Sequence, residues 1–215
     1  MREQGLGVEI EASFILSGQR SRELREFYHA RQRDPMHYDL HQSRVYIDSD
    51  RLWLHRACQS ACFAMGPLGD HYLLHKSNIA VCNDFVMRQE TRFAWPEGAS
   101  AHPVVDAFRQ SLGLASPIVP KLMLRSIRHC LVLQTIPDPV LMMFDEVDVF
   151  SPDSSQLFRF DAIELECNGD RACSRFLDEV AAFRELCPEA PLLASSKYSH
   201  AMTAISAKAH TDLLS

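Results

Sequence analysis

The fold prediction starts from residues 8–16, which read VEIEASFIL. Apolar and polar residues alternate over most of this stretch, so it is predicted to be a β-strand with two different faces. Glu9 and Glu11 share one face, because residues two apart on a strand point the same way. The strand therefore places two carboxylates side by side.

A second pair of this kind, Glu164 and Glu166, lies near the other end of the chain. Both pairs have an apolar opposite face. If that face packs against helices, the carboxylates point either to water or into a barrel, and the sequence leaves both arrangements open. Inside a barrel they would repel each other unless a cation lay between them, and Mg²⁺ or Mn²⁺ would suit such oxygen ligands.

Strands dominate the rest of the pattern. Besides residues 8–16, β-structure is predicted for residues 43–54 (with a turn at 48–50), 61–65, 71–76, 78–86, 87–95, 122–135, 140–150 and 158–167. A turn at 66–70 would join two of these strands, and helices are predicted for 20–32, 103–112, 170–186 and 195–214. Since no repeat or low-complexity linker interrupts the chain, one α+β domain over residues 1–215 is expected.

Composition excludes several classes of protein. The net charge of −6 opposes broad nucleic-acid binding, although it leaves room for a small basic pocket. No apolar run approaches the roughly 18 residues of a membrane span, so no membrane association is expected. Seven scattered cysteines suit free thiols in a reducing compartment, and a cytoplasmic location is expected. The net negative charge does not identify a binding partner.

Several basic residues could face the carboxylates. Each alone is as readily a solvated surface charge, but together they would form the cationic wall that a polyphosphate requires. These candidates are Lys76, Arg88, Arg125, Arg128 and Lys197. Asp145, which follows an apolar segment, is either a turn residue or a further carboxylate of the same site. The glycine-rich phosphate loops GxxxxGK[ST] and GxGxxG are absent.

These motifs, taken in order, resemble the CYTH or triphosphate-tunnel metalloenzyme family. Glu9-Ile10-Glu11 resembles its opening ExExK, and Glu164-Leu165-Glu166 resembles its second ExE. The intervening and closing motifs are similar to Tyr46-Ile47-Asp48-Ser49-Asp50, Leu74-His75-Lys76, Arg88-Gln89-Glu90, Phe144-Asp145 and Ser196-Lys197-Tyr198. The resemblance covers nearly the whole chain and implies an eight-stranded antiparallel β-barrel around an open tunnel, with flanking helices.

The resemblance also implies a set of roles. Mg²⁺ or Mn²⁺ would be held by Glu9, Glu11, Asp145, Glu164 and Glu166. A small phosphorylated ligand would be gripped by Lys76, Arg88, Glu90, Arg125, Arg128 and Lys197. Glu9, Glu11 and Lys76 would take part in catalysis.

Two departures mark the chain as a divergent member. Ser13 stands where the family has a lysine, and residues 61–65, ACFAM, hold no arginine where the family has LRxR. Each lost charge-assisted contact is worth roughly 1.5–3 kcal/mol, so three losses could weaken phosphate binding by orders of magnitude.

Three hypotheses remain open at this point. The first is a metal-dependent triphosphate hydrolase. The second is a decayed tunnel that binds a phosphate ligand, a triphosphorylated RNA end or a protein partner. The third is a class IV-type adenylate cyclase, for which the sequence offers no separate base-recognition signature.

Overall fold

The computed structural model describes residues 3–31, 36–65, 71–95, 98–135, 138–169 and 171–212. The elements of this part of the chain are β1 (Glu3–Leu16), α1 (Gly18–Arg31), β2 (His37–Ser49), α2 (Trp53–Arg56), β3 (Ser60–Met65), β4 (His71–Val81), β5 (Val86–Trp95), α3 (His102–Ser111), β6 (Ile118–Gln134), β7 (Val140–Phe150), β8 (Gln156–Asn168), α4 (Ser174–Leu186) and α5 (Lys197–Asp212).

All the strands join one closed antiparallel barrel in the order β1-β5-β4-β3-β2-β6-β7-β8. Pairing between β1 and β8 closes it, for instance where Ile10 lies opposite Cys167. Closure removes the free sheet edges that an open sheet would leave at its two ends. The predicted α+β fold with an eight-stranded antiparallel barrel and flanking helices is confirmed.

The alternation on β1 sorts its side chains between the inside and the outside of the barrel. Ile10, Ala12 and Phe14 are fully buried in an apolar cluster with residues of α1 and α4, such as Leu24 and Phe176. The carboxylates of β1 therefore point the other way, into the barrel. This decides between the two arrangements that the sequence left open.

A second outer cluster covers the opposite wall of the barrel. There Ile47, Leu73 and Phe93 of β2, β4 and β5 pack against Val104 and Phe108 of α3. Helices thus cover the outer surface of the barrel on two sides, and the polar side chains of these strands point into the interior.

Helix α5 packs against the inner face of the barrel. Tyr198 and Ala201 are completely buried against inner-face residues that include Tyr46, Leu124 and Val147. The rings of Tyr46 and Tyr198 are stacked, with centroids 5.2 Å apart. This contact fixes the start of α5, where Lys197 lies, against the barrel interior.

Some element boundaries differ from the prediction. Residues 43–54 were predicted as strands around a turn, but β2 begins at His37 and is followed by the short helix α2. The reason is Asp48, whose buried carboxylate accepts hydrogen bonds from the backbone N–H groups of Leu54 and His55, both at 2.9 Å. Such local bonds favour a helical turn over a strand.

Residues 78–86 were predicted as one strand, but β4 ends at Val81 and β5 begins at Val86. The backbone N–H of Cys82 donates to the carbonyl of Phe85, closing a turn between them.

Some predictions lie outside the described residues. They are the turn at 66–70, Gln32 and Asp170 at the ends of two predicted helices, and the last residues of the predicted helix 195–214. None of the described helices is both long enough and apolar enough to cross a lipid bilayer.

Candidate functional site

A cavity of about 200 Å³ lies inside the barrel, and all eight strands contribute side chains to its wall. We call it the tunnel. Its ionisable residues fall into two equal groups. The carboxylates are Glu9, Glu11, Glu90, Asp145, Glu164 and Glu166, and the cations are Arg44, Lys76, Arg88, Arg92, Arg128 and Lys197. With every group ionised, the tunnel would carry no net charge.

All but one of the site residues predicted from the sequence line the tunnel. The exception is Arg125, whose guanidinium lies 4.8 Å from the centre of the Phe150 ring. Leu124, Ser126 and Arg128 take the inner face of β6, so alternation puts Arg125 on the outer face. Its predicted place in the phosphate-binding wall was wrong.

Lys76 joins three strands of the tunnel wall by ion pairs. Its Nζ lies 2.5 Å from Glu9 Oε2, 2.7 Å from Glu90 Oε1 and 3.8 Å from Glu11 Oε2. Burial alone would raise the pKa of Glu9, but the adjacent ammonium lowers it to about 2. The same carboxylates hold the pKa of Lys76 well above its usual range, against the effect of burial. Both groups are therefore ionised at neutral pH.

Arg128, Asp145, Glu164 and Lys197 form a second set of ion pairs, which we call the ion quartet. Arg128 binds Asp145 through two nitrogens, at 2.7 and 2.8 Å, and reaches Glu164 with one of them at 2.5 Å. Lys197 Nζ lies 2.6 Å from Glu164 and 2.9 Å from Asp145. Burial opposes ionisation, but these cations keep the pKa of both carboxyls below its usual range. Two acids and two bases thus neutralise each other.

Glu11 and Glu166 are compensated less well. They lie directly opposite each other on β1 and β8. Arg88 contacts Glu11 Oε1 at 2.9 Å, yet Glu11 Oε2 is buried without a hydrogen-bond partner among the described residues. Burial, together with Glu164 and Glu9, outweighs Arg88 and raises the pKa of Glu11 to about 7. Burial and the neighbouring Glu9 raise the pKa of Glu166 well above its usual value.

Ser13, the first departure noted in the sequence, also points into the tunnel. Its buried hydroxyl donates to Glu164 Oε1 at 3.2 Å and lies 3.4 Å from Glu11 Oε1. Ser13 thus contacts a carboxylate from each end of the chain, but it adds no charge. Arg88 and Lys76 provide the cations on this side.

Two tunnel cations were missed in the sequence, Arg44 on β2 and Arg92 on β5. Neither forms an ion pair with a carboxylate in the described part of the chain. Arg92 lies 4.8 Å from the centre of the Tyr72 ring, and its Nε is buried without a hydrogen-bond partner. Strand alternation could have found Arg92, which is two residues beyond Glu90.

Arg44 lies beside the place where the expected arginines are absent. In the β2–β3 ladder Val45 pairs with Phe63, so Arg44 is in register with Ala64, on the inner face. The neighbouring β2 therefore brings a cation to the region in which β3 supplies only small side chains. Arg44 thus supplies a tunnel cation that the sequence analysis did not include.

No protein-family model and no curated protein sequence matches the chain. Solved structures do match. A candidate adenylate cyclase from Bacillus halodurans has a TM-score of 0.52 at 15% identity, covering 87% of this chain and 90% of that one.

Two further structures have the same architecture. A candidate adenylyl cyclase from Hippeastrum with a dominant triphosphatase activity has a TM-score of 0.55 at 12% identity, covering 89% and 93% of the two chains. The capping-enzyme triphosphatase of Mimivirus has a TM-score of 0.52 at 10% identity, covering 86% and 92%. The chain has the CYTH, or triphosphate-tunnel, fold. The resemblance seen in the sequence motifs is confirmed at the level of the fold.

The triphosphate-tunnel fold raises the question of a metal ion. No group of three or more His, Cys, Asp or Glu side chains in the described ranges is arranged to hold one. Mg²⁺, however, is commonly bound by one or two carboxylates, with water and substrate phosphate completing its ligands. Glu11 and Glu166 fit this mode, since Glu11 has an oxygen without a hydrogen-bond partner among the described residues and the raised pKa of both carboxyls shows that the site favours added positive charge. Asp145 and Glu164 fit it less well, because the ion quartet already neutralises them.

Proposed function

We propose that the tunnel binds the phosphate chain of a triphosphate and hydrolyses it with the help of Mg²⁺ or Mn²⁺. The observation that carries this proposal is that one cavity contains both buried hydrogen-bond donors and a buried acceptor that lack partners among the described residues. Nε and Nη2 of Arg88 and Nε of Arg92 are buried donors without acceptors among the described residues. Glu11 Oε2 is a buried acceptor that receives no hydrogen bond from the described part of the chain, since Lys76 Nζ is 3.8 Å away. A phosphate oxygen would satisfy the donors, and a cation would satisfy the acceptor.

The charge balance explains why the ligand would come with a metal. The tunnel holds equal numbers of acids and bases, so its fixed charges alone would attract a polyanion weakly. Extra positive charge has to come from a bound cation or from protons on Glu11 and Glu166. The raised pKa of each of these carboxyls supports this pair as the place where that charge is added.

The phosphate-binding role falls to the arginines that have donors to spare. Arg88 and Arg92 have unpartnered nitrogens, and Arg44 forms no ion pair with any described carboxylate. Arg128 and Lys197 would bind phosphate only by giving up contacts in the ion quartet. Buried guanidinium groups bind phosphate oxygens strongly, because each contact is charge-assisted and little water competes.

The catalytic roles follow from the same geometry. A metal held by Glu11 and Glu166, with Glu9 beside them, would polarise the phosphoryl group and orient a water molecule. Lys76 keeps Glu9 ionised and lies within ion-pair distance of Glu11. The fixed positive groups would stabilise charge that develops on the transferred phosphoryl group, which is the main protein contribution in phosphoryl transfer.

The alternative is a tunnel that binds a phosphorylated ligand without turning it over. One observation favours it: the ion quartet and Lys76 already neutralise Asp145, Glu164 and Glu9, which the sequence assigned to a metal. In that case the chain would be a ligand-binding protein, and a protein partner would recognise its ligand-bound form. Binding is common to both functions, and turnover separates them.

The test is release of phosphate from tripolyphosphate and from ATP, with Mg²⁺ and with Mn²⁺. The variants are Glu166→Gln and, as a control on the outer face of the barrel, Arg125→Ala. Metal-dependent release that Glu166→Gln abolishes and Arg125→Ala retains is the expected result. Binding without release would favour the alternative, and formation of a cyclic nucleotide with pyrophosphate would indicate a cyclase.

A further inference from the structure

Ser13 lies between two carboxylates on the inner face of the barrel. It is two residues from Glu11 on β1 and directly opposite Glu164 on β8. Only 2% of the residue is exposed. Residues two apart on a strand share a face, and so do residues opposite each other in a ladder. The hydroxyl of Ser13 can therefore reach one carboxylate along its own strand and one across the β1–β8 ladder.

This hydroxyl faces two acceptors but has one hydrogen. Ser13 Oγ lies 3.2 Å from Glu164 Oε1 and 3.4 Å from Glu11 Oε1. Both distances are longer than the roughly 2.5–2.7 Å of a short bond between a hydroxyl and a carboxylate. Since a hydroxyl donates to one acceptor at a time, rotation about a single bond would turn the hydrogen from one carboxylate to the other. Its orientation depends on which carboxylate lacks another donor.

The two carboxylates belong to different sets of ion pairs. Glu11 contacts Arg88 at 2.9 Å and lies 3.8 Å from Lys76. Glu164 belongs to the ion quartet. Within the described ranges of the chain, no ion pair joins the two sets. The hydroxyl of Ser13 is therefore a direct polar link between them.

The two oxygens of Glu164 receive different donors. Arg128 and Lys197 both donate to Oε2, at 2.5 and 2.6 Å. Oε1 accepts a hydrogen bond from Ser13 and from no other residue that the structure describes. A phosphate group that drew Arg128 or Lys197 away would leave Glu164 short of donors, which is costly for a buried carboxylate. Glu164 would then depend more strongly on the hydrogen of Ser13.

A cation held by Glu11 would act in the same direction. It would occupy the lone pairs of Glu11 and repel the hydroxyl hydrogen of Ser13, which would then turn towards Glu164. A cation at Glu11 and a phosphate group beside Glu164 therefore favour the same orientation of the hydroxyl. Two ligands that favour the same state of a protein strengthen each other's binding.

We propose that Ser13 is a positioning residue that couples the binding of the metal ion at Glu11 to the binding of phosphate beside Glu164. This inference rests on the proposed function and concerns the regulation of the same site. Without the hydroxyl, both ligands would still bind, but each would gain less from the presence of the other. The coupling is a property of binding alone and does not require turnover.

The test measures the dissociation constant of tripolyphosphate by calorimetry, with and without Mn²⁺, in the wild type and in Ser13→Ala. The ratio of the two constants reports the coupling. Complexes of Mn²⁺ with tripolyphosphate in solution are the same for every variant, so they cancel when ratios are compared. The control is Ser60→Ala, because Ser60 is also a buried tunnel serine but forms no hydrogen bond with a described carboxylate. Circular dichroism confirms that both variants are folded.

Ser13→Ala is expected to reduce the ratio by about fivefold or more, which is the size of a typical coupling between two sites. Ser60→Ala is expected to leave it unchanged. A purely structural effect would weaken binding equally with and without Mn²⁺ and so leave the ratio at its wild-type value. An unchanged ratio in Ser13→Ala, or an equal reduction in both variants, would overturn the role of Ser13.

A second measurement follows from the reciprocity of coupled binding. The dissociation constant of Mn²⁺, measured by electron paramagnetic resonance with and without tripolyphosphate, should change in Ser13→Ala by the same factor. A Mn²⁺ ratio that stays at its wild-type value in Ser13→Ala would contradict the coupling.

The failure of the proposed function would look different. If the protein binds tripolyphosphate and releases no phosphate, but the ratio falls in Ser13→Ala, the coupling stands and the hydrolysis does not. If phosphate release depends on Mn²⁺ but the ratio is the same in Ser13→Ala and the wild type, the hydrolysis stands and the coupling does not. No binding of tripolyphosphate under either condition would contradict both.

Discussion

Glu11 on β1 and Glu166 on β8 lie directly opposite each other inside the barrel. They come from the two glutamate motifs, which lie far apart in the chain, and closure of the barrel makes them neighbours. Both carboxyls hold protons more strongly than usual, because burial and nearby carboxylates outweigh the cations around them. The pair is therefore the part of the tunnel with the most to gain from a cation.

The first prediction concerns stability and pH. The folded pKa of Glu11 is raised from 4.5 to about 7, so the folded protein retains a proton that the unfolded chain releases. Stability is then lost as pH rises from about 4.5 to about 7. Glu11→Gln should remove this loss and make the protein more stable near pH 8, by about 1 kcal/mol or more. Urea unfolding near pH 5 and near pH 8 measures it.

Glu9→Gln is the matched control, on the same strand and the same face. The pKa of Glu9 is lowered to about 2 by Lys76, so its contribution is present above the unfolded value of 4.5 and lost as pH falls. Glu9→Gln should therefore destabilise the protein near pH 8. Equal destabilisation by both variants near pH 8 would contradict the assigned protonation of Glu11.

The second prediction concerns the cations that the sequence motifs did not reveal. Arg44→Ala and Arg92→Ala should each weaken the binding of tripolyphosphate by about tenfold or more, since each removes a charge-assisted contact. Calorimetry with Mn²⁺ present measures the affinity. Arg125→Ala is the control, because Arg125 lies on the outer face, over Phe150. A loss of affinity in Arg125→Ala equal to that in Arg44→Ala would show that overall charge, rather than the tunnel, governs binding.

The third prediction concerns the attachment of α5. Tyr198 donates a hydrogen bond of 3.0 Å to the buried Asp48, and Lys197, the residue before it, points into the tunnel. Tyr198→Phe should cost about 1–2 kcal/mol of unfolding free energy and weaken phosphate binding, because Lys197 loses its anchor. In a double-mutant cycle with Asp48→Asn, the two changes should be coupled by about 1 kcal/mol. Strict additivity would show that this hydrogen bond does not hold α5.

The fourth prediction concerns the ion quartet. Arg128→Gln leaves Asp145 and Glu164 sharing Lys197 alone, and breaking a buried ion pair on one side costs about 3–5 kcal/mol. The double variant Arg128→Gln with Asp145→Asn removes one charge of each sign, so it should regain part of that loss. Chemical denaturation of the two variants compares them. If the double variant is less stable than Arg128→Gln, the two residues do not compensate each other's charge.

Particular residues show how far the sequence could be used to predict the site. The two glutamate pairs and Arg88-Gln89-Glu90 were found because alternation along a single strand is a local property. The same rule separates Arg125 from Arg128, three residues apart and so on opposite faces, and applying it would have excluded Arg125. Arg44 was missed although it lies on a predicted strand, because neither residue two positions away, Gln42 or Tyr46, carries a charge that would mark its face as part of a charged site.

Contacts between strands that are far apart in the sequence could not be predicted from local patterns. Lys76 bonds to Glu9, which is 67 residues away, and this contact depends on β5 lying between β1 and β4 in the barrel. The order of strands in a closed sheet is a global property, and no local pattern in β1 or β4 contains it. The balance of charge in the tunnel depends on the same order.

The central claim, that the tunnel is a joint site for a metal and a phosphate chain, is tested most directly by titrating the protein with tripolyphosphate with and without Mn²⁺ in a calorimeter. The account predicts binding that Mn²⁺ strengthens by about tenfold or more, and predicts that the variant Glu11→Gln with Glu166→Gln loses this strengthening while it stays folded. Binding that does not respond to Mn²⁺, or an undiminished response to Mn²⁺ in the double variant, would contradict it.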